Sequence, residues 1–501
     1  MDTKFTDILV IGSGVSGLFF AVKTAIKRPD LQITIMTKAQ ADNSNTRYAQ
    51  GGIAVVTDNL KDSFEKHIQD TIQAGGGLGE EEVIKMVVYQ APERLKELLD
   101  FEVSFDKNHE GEWDLGLEGG HSEYRILHHK DISGLEIQQK MLMQVKKFPN
   151  VKLLEDQFVL DLISEEINGQ KQCSGAFVYD KTNKKTSVVL AKTVVMSTGG
   201  CGQVFQHTTN PDIATGDGIA MAHRIGAAIK DMQYIQFHPT ALYEKDKNPY
   251  FLISEAVRGF GAYIVNSQNK RFVFEYDARG ELATRDIVSK AIGTELLKSN
   301  ESNVYLDCRH LDYHKFYKHF PTITTYCKAE GIDLRKDLIP IIPVAHYQCG
   351  GIKVDKNSQT TVKNLFAVGE CACTGLHGKN RLASNSLLEA LVFAHQSSTY
   401  ICENIDAVSY AWNTVFEYKK ISEENSGRVK EVKQQLKKIM TTLYIGTVEI
   451  DEVETKIKTI LKEVESFLNN QIITIDTKEL QNMLDTAILI VKHYKKQIVE
   501  V

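Results

Sequence analysis

The first residues whose types and spacing can do chemistry are Gly12-Ser13-Gly14-Val15-Ser16-Gly17, a G-x-G-x-x-G run directly after the apolar stretch Asp7 to Ile11. In such a run the first glycine turns the chain tightly, the second lets backbone approach a pyrophosphate, and the third lets a helix pack on a strand. The helix N-terminus then presents its unpaired N–H groups to the phosphates. Leu18 to Lys27 has helix-forming composition and Gln32 to Met36 is apolar. The spacing therefore predicts strand, glycine turn, helix, strand, with a dinucleotide as ligand. The second strand runs into Thr37-Lys38 where an acidic residue ordinarily holds the ribose hydroxyls, so a standard nicotinamide dehydrogenase is not indicated. Downstream, the polar loop Asn43 to Thr46 leads through Tyr48-Ala49-Gln50 to Gly51-Gly52, a pair that lets backbone lie against a flat cofactor.

Other chemistries are poorly supplied. The eight cysteines are scattered with no C-x-x-C pair, and His310 with His314 lacks the glutamate of a zincin, so free thiols and no metal are expected. A chain of 501 residues is roughly three domains long, and 59 basic against 65 acidic residues give a net charge of -6. That balance does not steer the whole molecule to nucleic acid or anionic lipid. No apolar run approaches the ~20 residues of a membrane span. The expectation is a cytoplasmic protein with no membrane and no nucleic-acid partner.

The elements that must position these residues follow from the pattern. Thr193 to Met196 reads as a buried strand ending near Gly199-Gly200, and Leu365 to Val368 as another ending at Glu370. Between them lies sequence of different character, rich in His and Arg, so the nucleotide fold is interrupted by an inserted domain with boundaries near 233 and 347. After about residue 410 the texture becomes Lys/Glu-rich and helical, with Val453, Ile457, Ile460, Leu461, Val464, Phe467 and Leu468 on one stripe. Asp476 with Glu479 reads as a capping box opening a further helix to about His493, and the lysines read as a solvated face.

Further ordered blocks stand beside the glycine run and the Tyr48 to Gly52 block: Asp62-Ser63…His67…Asp70-Thr71…Ala74-Gly75, Glu118-Gly119-Gly120-His121-Ser122, Gln236-Phe237-His238-Pro239-Thr240, Thr284-Arg285-Asp286, His346-Tyr347-x-x-Gly350-Gly351 and Gly375-Leu376-His377-Gly378-x-Asn380-Arg381. Through them the sequence resembles the succinate dehydrogenase and fumarate reductase flavoprotein family over nearly its whole length. The resemblance implies an α/β fold in which a Rossmann-like FAD-binding domain (1–232 and 348–410) is interrupted by an α+β capping domain (233–347) and followed by a C-terminal helical bundle (411–501). It implies FAD held by Gly12, Ser13, Gly14 and Gly17 at the pyrophosphate and by Lys38 near the first ribose. Ser44, Asn45, Thr46, Tyr48, Ala49, Gln50, Gly51 and Gly52 would lie by the isoalloxazine, with Asp217, Glu370 and the Asn385-Ser386-Leu387 turn completing the set. A helix after that turn would aim its positive end at the flavin. Succinate-oxidising members commonly tether the flavin through a histidine in the loop before Ala49, but Asn43 to Tyr48 contains none, so the FAD is expected to be non-covalent.

The matched positions also supply cationic and donor groups for both ends of a dicarboxylate: Gln236, His238, His346 and Arg381, with Arg285 near the reacting carbons. Ser254 stands where threonine is more usual and keeps the hydroxyl. Glu118 occupies a position that is apolar in dicarboxylate reductases, and a carboxylate there would read a substrate ammonium and disfavour a plain methylene. The implied reaction is FAD-dependent oxidation of L-aspartate to iminoaspartate, by hydride transfer to flavin N5, with electrons passed to oxygen or fumarate. Succinate would be a competitive ligand, and quinolinate synthase would consume the imine in the first steps of de novo NAD biosynthesis. Glu118, His238, His346 and Arg285 are the expected catalytic groups, Arg285 chiefly as an electrostatic and positioning group because a guanidinium is a poor base. Two alternatives stay open: a soluble fumarate reductase or succinate dehydrogenase flavoprotein subunit, and a non-catalytic FAD-stabilised binding protein.

Overall fold

The computed structural model describes residues 1–58, 60–167, 169–245, 247–410, 417–422, 427–445, 449–469 and 472–500. Strand β1 (Asp2–Ile11) starts five residues before the expected Asp7, and its end is buried on both faces. Ile8 and Val10 enter one apolar core while Leu9 and Ile11 enter another, as the two-residue period of a covered strand requires. The glycine turn leads into helix α1 (Val15–Lys27), and β2 (Ile33–Met36) pairs parallel to β1 with Ile11 opposite Met36. Helix α2 (Phe64–Ala74) is capped by Ser63, whose hydroxyl accepts the N–H of Lys66. Strand β3 (Val151–Leu154) then extends the sheet beyond β2.

Strands β4 (Gln157–Ile167), β5 (Gln170–Asp180) and β6 (Lys185–Met196) form an antiparallel meander. Its last strand returns parallel to β1, with Ile11 opposite Met196. Helix α3 (Asp217–Arg224) follows, opened by Gly216 in the left-handed region.

The chain then builds a four-stranded antiparallel sheet from β7 (Ile235–Leu242), β8 (Tyr263–Val265), β9 (Val304–Asp307) and β10 (Ile339–Gln348), in the order β7-β10-β9-β8. Helices α4 (Glu255–Gly259) and α5 (Arg285–Ser299) accompany it over a separate core that includes Ile253, Val257, Val288, Ile292, Leu306 and Ile341. Irregularities after Gln236 and His238 shift the β7 register, which re-aims side chains where a regular strand would alternate them. Strand β11 (Leu365–Ala367) returns to the first sheet beside β6, giving seven strands in the order β3-β2-β1-β6-β5-β4 with β11 on the far end of β6. Helix α6 (Asn385–Asn404) packs with α1 on one face of that sheet.

On the opposite side α7 (Gly427–Ile445), α8 (Ile450–Leu468) and α9 (Ile475–Glu500) form a bundle that packs against α3 and the turn at 202–204, and their Val432, Leu436, Val453, Ile457, Leu480 and Leu484 belong to the same continuous core as Leu9, Ile11 and Met196. The expected bundle boundary at 411 lies outside the described residues. The α8 stripe is inward, but two expectations for this region are corrected. Glu479 is no capping residue: the cap of α9 is Thr474, whose hydroxyl accepts the N–H of Thr477 at 3.0 Å, and the helix runs past His493. Nor are all the lysines solvated, since Lys437 and Lys478 are buried, donating to Gln203 and Asp161. The half-buried carboxylate of Asp161 and the buried amide of Gln203, invisible in a composition count, draw them inward.

Candidate active site

At the junction of β1 and α1, Gly12 takes φ +113°, and a Cβ there would lie 2.1 Å from the carbonyl oxygen of Ser197. A Cβ on Gly17 would lie 2.4 Å from the Gly12 carbonyl oxygen, so that glycine serves the packing of helix on turn. One cavity opens above this turn. Its wall carries Gly12, Ser13, Gly14, Lys38, Ser44, Asn45, Thr46, Asp217, Glu370, Ser386 and Leu387 together with the whole Tyr48 to Gly52 block. The same wall carries Glu118, His238, Ser254, Arg285, His346 and Arg381, so the two sets of residues expected from the sequence meet around one space.

Three expected residues stand behind that wall. Gly17 packs as described. Gln236 accepts from Arg285 Nη1 at 3.0 Å and donates at 2.7 Å to both Asn380 Oδ1 and the Arg381 carbonyl, so it ties the Arg285 guanidinium to the backbone of Arg381. Asn385 binds His67 Nε2 at 2.9 Å and donates to Thr71 at 3.0 Å, tying the start of α6 to α2.

The wall fits a flavin dinucleotide. Asn43 Oδ1, Asn45 Oδ1, Gln50 Oε1 and Thr198 Oγ1 are buried on it without a protein hydrogen-bond partner. Each such atom costs about 1–3 kcal/mol if left dry and unpaired, so the space suits a polar ligand. Glycine at position 14, where a Cβ would meet only Thr46 Oγ1 at 3.4 Å, leaves room for a phosphate, and a flat ring system can rest on the Gly51-Gly52 backbone. Glu370 is held by Asn45 Nδ2 at 2.8 Å and the Gln348 N–H at 3.1 Å, and burial raises its pKa.

The second set is electrostatically organised. Arg285, at the first position of α5, donates from Nε to Glu255 Oε2 at 2.5 Å, while Arg258 holds Glu255 Oε1 at 2.6 Å. Burial alone would raise the Glu255 pKa, but the two guanidinium groups overcome it and the net shift is downward. Arg381 lies over the Tyr347 ring at 4.5 Å and donates to Ser386 at 3.0 Å. Burial, with Arg285 nearby, brings the Arg381 pKa down to about 10. His238 and His346 have ring centroids 5.0 Å apart. Burial, then the Arg285 charge, pushes both far below the usual imidazole value, so they are neutral at pH 7. His238 Nδ1 accepts the Thr240 N–H at 3.3 Å, which places its proton on Nε2. Ser254 caps α4 and accepts the N–H of Ala256.

Glu118 is buried on this wall, and its Oε2 accepts the Ser384 hydroxyl at 2.5 Å. Burial and the Glu255 charge raise its pKa. Ser384 also accepts the Gly52 N–H at 3.3 Å and takes φ +59°, a left-handed conformation that non-glycine residues adopt at some cost. Sequence reasoning passed over Ser384, Glu255 and Arg258. Ser384 adjoins the Asn385-Ser386-Leu387 turn, and Glu255 with Arg258 has the i, i+3 spacing of a helical ion pair, but nothing local marks that pair as buried.

Comparison with known proteins agrees with this geometry. Residues 7–387 match the family model described as an FAD binding domain. The chloroplastic L-aspartate oxidase of Oryza sativa subsp. japonica is 40% identical over 98% of this chain and 79% of that protein. The L-aspartate oxidase of Yersinia pestis is 37% identical over 97% of this chain and 93% of its own length. Among solved structures, an E. coli quinol fumarate reductase FrdA variant superimposes with a TM-score of 0.87 at 27% identity, over 98% of this chain and 89% of that one. The Mycobacterium smegmatis Sdh1 complex gives 0.78 at 26%, over 98% and 87%. With a glycine cradle, an acidic residue facing a cationic pocket, and near full-length likeness to named enzymes, the chain belongs to the L-aspartate oxidase family of FAD-binding flavoproteins.

Proposed function

We propose that this protein oxidises L-aspartate to iminoaspartate with a non-covalently held FAD. The observation that carries the reading is Glu118: a buried carboxylate, fixed by Ser384, on a wall that also carries Arg285, Arg381, two neutral histidines and Glu255, whose own carboxylate is already held by Arg258 and Arg285. Arginine and histidine donors suit the two carboxylates of a four-carbon diacid, and an acidic group among them suits an amine on it.

Gly12, Ser13, Gly14, Lys38, Asp217, the Ser44 to Gly52 stretch, Glu370, Ser386 and Leu387 would hold the FAD, with Gly17 and Asn385 supporting them from behind the wall; when bound, FAD would accept the electron pair leaving Cα with its hydrogen. Arg381 and His346 grip one carboxylate; His238 and Ser254 the other. Gln236 ties the Arg285 guanidinium to the Arg381 backbone. Glu118 pairs with the substrate ammonium and takes a proton from it, for which its raised pKa is the right adjustment, because the nitrogen lone pair is what stabilises the carbon losing hydride. Arg285, locked between Glu255 and Gln236, presents fixed positive charge to the substrate. The sheet domain (1–232 and 348–410) supplies Glu118 and Arg381, the capping domain (233–347) supplies His238, Ser254, Arg285 and His346, and the bundle (411–501) backs the first. No helix among the described residues is long and apolar enough to cross a membrane, and we place the enzyme in the cytoplasm. Its electrons pass to oxygen or fumarate, succinate competes for the site, and the imine is handed to quinolinate synthase for NAD biosynthesis.

The test is an anaerobic titration of the FAD-loaded protein. L-Aspartate is expected to bleach the flavin absorbance while succinate perturbs it without bleaching. Bleaching by succinate would instead indicate a succinate-oxidising or fumarate-reducing enzyme, and bleaching by neither a binding protein.

A further inference from the structure

Lys38 lies two residues beyond β2, at the place where dinucleotide folds put an acidic residue against the ribose hydroxyls, and a lysine cannot accept a hydroxyl proton. The structure supplies a carboxylate from elsewhere. Asp217, the first residue of α3, stands on the cavity wall beside Lys38 and accepts from its Nζ at 2.7 Å. This pair is held in turn from the C-terminal bundle. Glu479 of α9 accepts from Lys38 at 2.8 Å and pairs with Lys433 of α7, and Asn482, one turn along α9, donates to the other Asp217 oxygen at 2.8 Å. One turn further, Thr486 packs on Gly216, where a Cβ would lie 2.6 Å from its hydroxyl. A single face of α9 thus grips the start of α3. Burial would raise Glu479, but Lys38 and Lys433 hold it down at about 2, so it is charged at any working pH.

We propose that α9 is a working part of the cofactor site: Glu479 and Asn482 are positioning residues that set Lys38 and Asp217 for the dinucleotide, so that FAD binding and docking of the bundle are thermodynamically linked. The inference rests on the flavin reading above. Linkage is reciprocal: if the docked bundle strengthens FAD binding, bound FAD must tighten the bundle by the same factor.

The experiment uses the full-length apoprotein titrated with FAD, followed by flavin fluorescence quenching, together with amide hydrogen exchange of α9. Glu479→Gln and Asn482→Ala are each expected to raise the FAD Kd about tenfold, and FAD is expected to slow exchange across residues 476–490 of the unaltered protein. Unchanged Kd values in both variants, or exchange of α9 indifferent to FAD, would overturn the proposal while leaving FAD binding itself intact. Failure of the unaltered protein to bind FAD would bring down the flavin reading and this inference together. Should Glu479→Gln not fold, Asn482→Ala and the exchange measurement decide.

Discussion

In the proposed reaction Glu118 is the side chain that selects the substrate. A carboxylate placed among Arg285, Arg381, His238 and His346 would ordinarily be expected to ionise easily, yet burial and the charge of Glu255 hold its proton to higher pH. Its carboxyl therefore keeps a proton more readily than an ordinary glutamate, and an arriving ammonium supplies the charge that favours its ionised form. Glu118→Gln should lower kcat/KM for aspartate by about a hundredfold, the scale of about 3 kcal/mol for losing one partner of a buried charge pair, while fumarate reduction falls only a few-fold. Equal loss of both activities would remove Glu118 from its role. Ser384→Ala should act in the same direction and more weakly, about tenfold, because it withdraws one hydrogen bond from a charged group. The pH dependence follows with its sign. A raised carboxyl pKa means that the proton is retained above the ordinary glutamate range, so kcat/KM for aspartate rises with pH on an acidic limb that Glu118→Gln abolishes. His238 and His346 are pushed far below 6.5, so they stay neutral as pH rises and contribute no limb near neutrality. A limb at the ordinary imidazole value that survives in the variant would show that the histidines titrate in the working range.

At the scale of elements, the β1 to α1 turn was fully legible because its chemistry is local: backbone that must take φ +113° and approach Ser197 is written as glycine. Gly12→Ala should abolish FAD retention and cost about 3 kcal/mol or more, since it combines left-handed strain with a backbone clash. Gly77→Ala is the control, for Gly77 has φ +73° but nothing within 4 Å of its missing Cβ. It should cost about 1 kcal/mol and keep the flavin. Flavin absorbance of the purified variants and their melting temperatures check both, and a yellow Gly12→Ala protein would show that the turn is not the cradle. The positions of Glu118 and Arg381 were legible from motif blocks, while the groups that hold them were not. Ser384 and Gln236 act through contacts separated by 266 and 145 residues in the chain, which no spacing rule encodes. The same limit misled the reading of α9: Asp476 and Glu479 have capping-box spacing, but the carboxylate at 479 is claimed by Lys38, 441 residues away, and Thr474 caps the helix. Local rules hold until a buried partner of opposite charge competes for the same group.

At the scale of the whole molecule, the parts are joined unequally. The capping domain builds its own core from Ile253, Val257, Val288, Ile292, Leu306 and Ile341. The bundle does not, because Leu436, Leu480 and Leu484 complete the core that Leu9, Ile11 and Met196 begin. An element with its own core can open by itself, whereas one that completes another's core cannot leave without exposing both. Native-state hydrogen exchange in low denaturant should therefore show α5 and β9 opening as a unit at a free energy below that of global unfolding. The buried turns of α7 and α9 should exchange only with β1 and β6. If α9 opened alone, well below β1, the shared core would be a poor guide to cooperativity. The expected division also has a functional sense. On the proposed reading, a cap that opens independently would let substrate reach Arg285 and His238 and would exclude water on closing. A bundle that cannot open alone keeps the Lys38 and Asp217 end of the cofactor site rigid through each such cycle, so substrate exchange need not loosen the flavin.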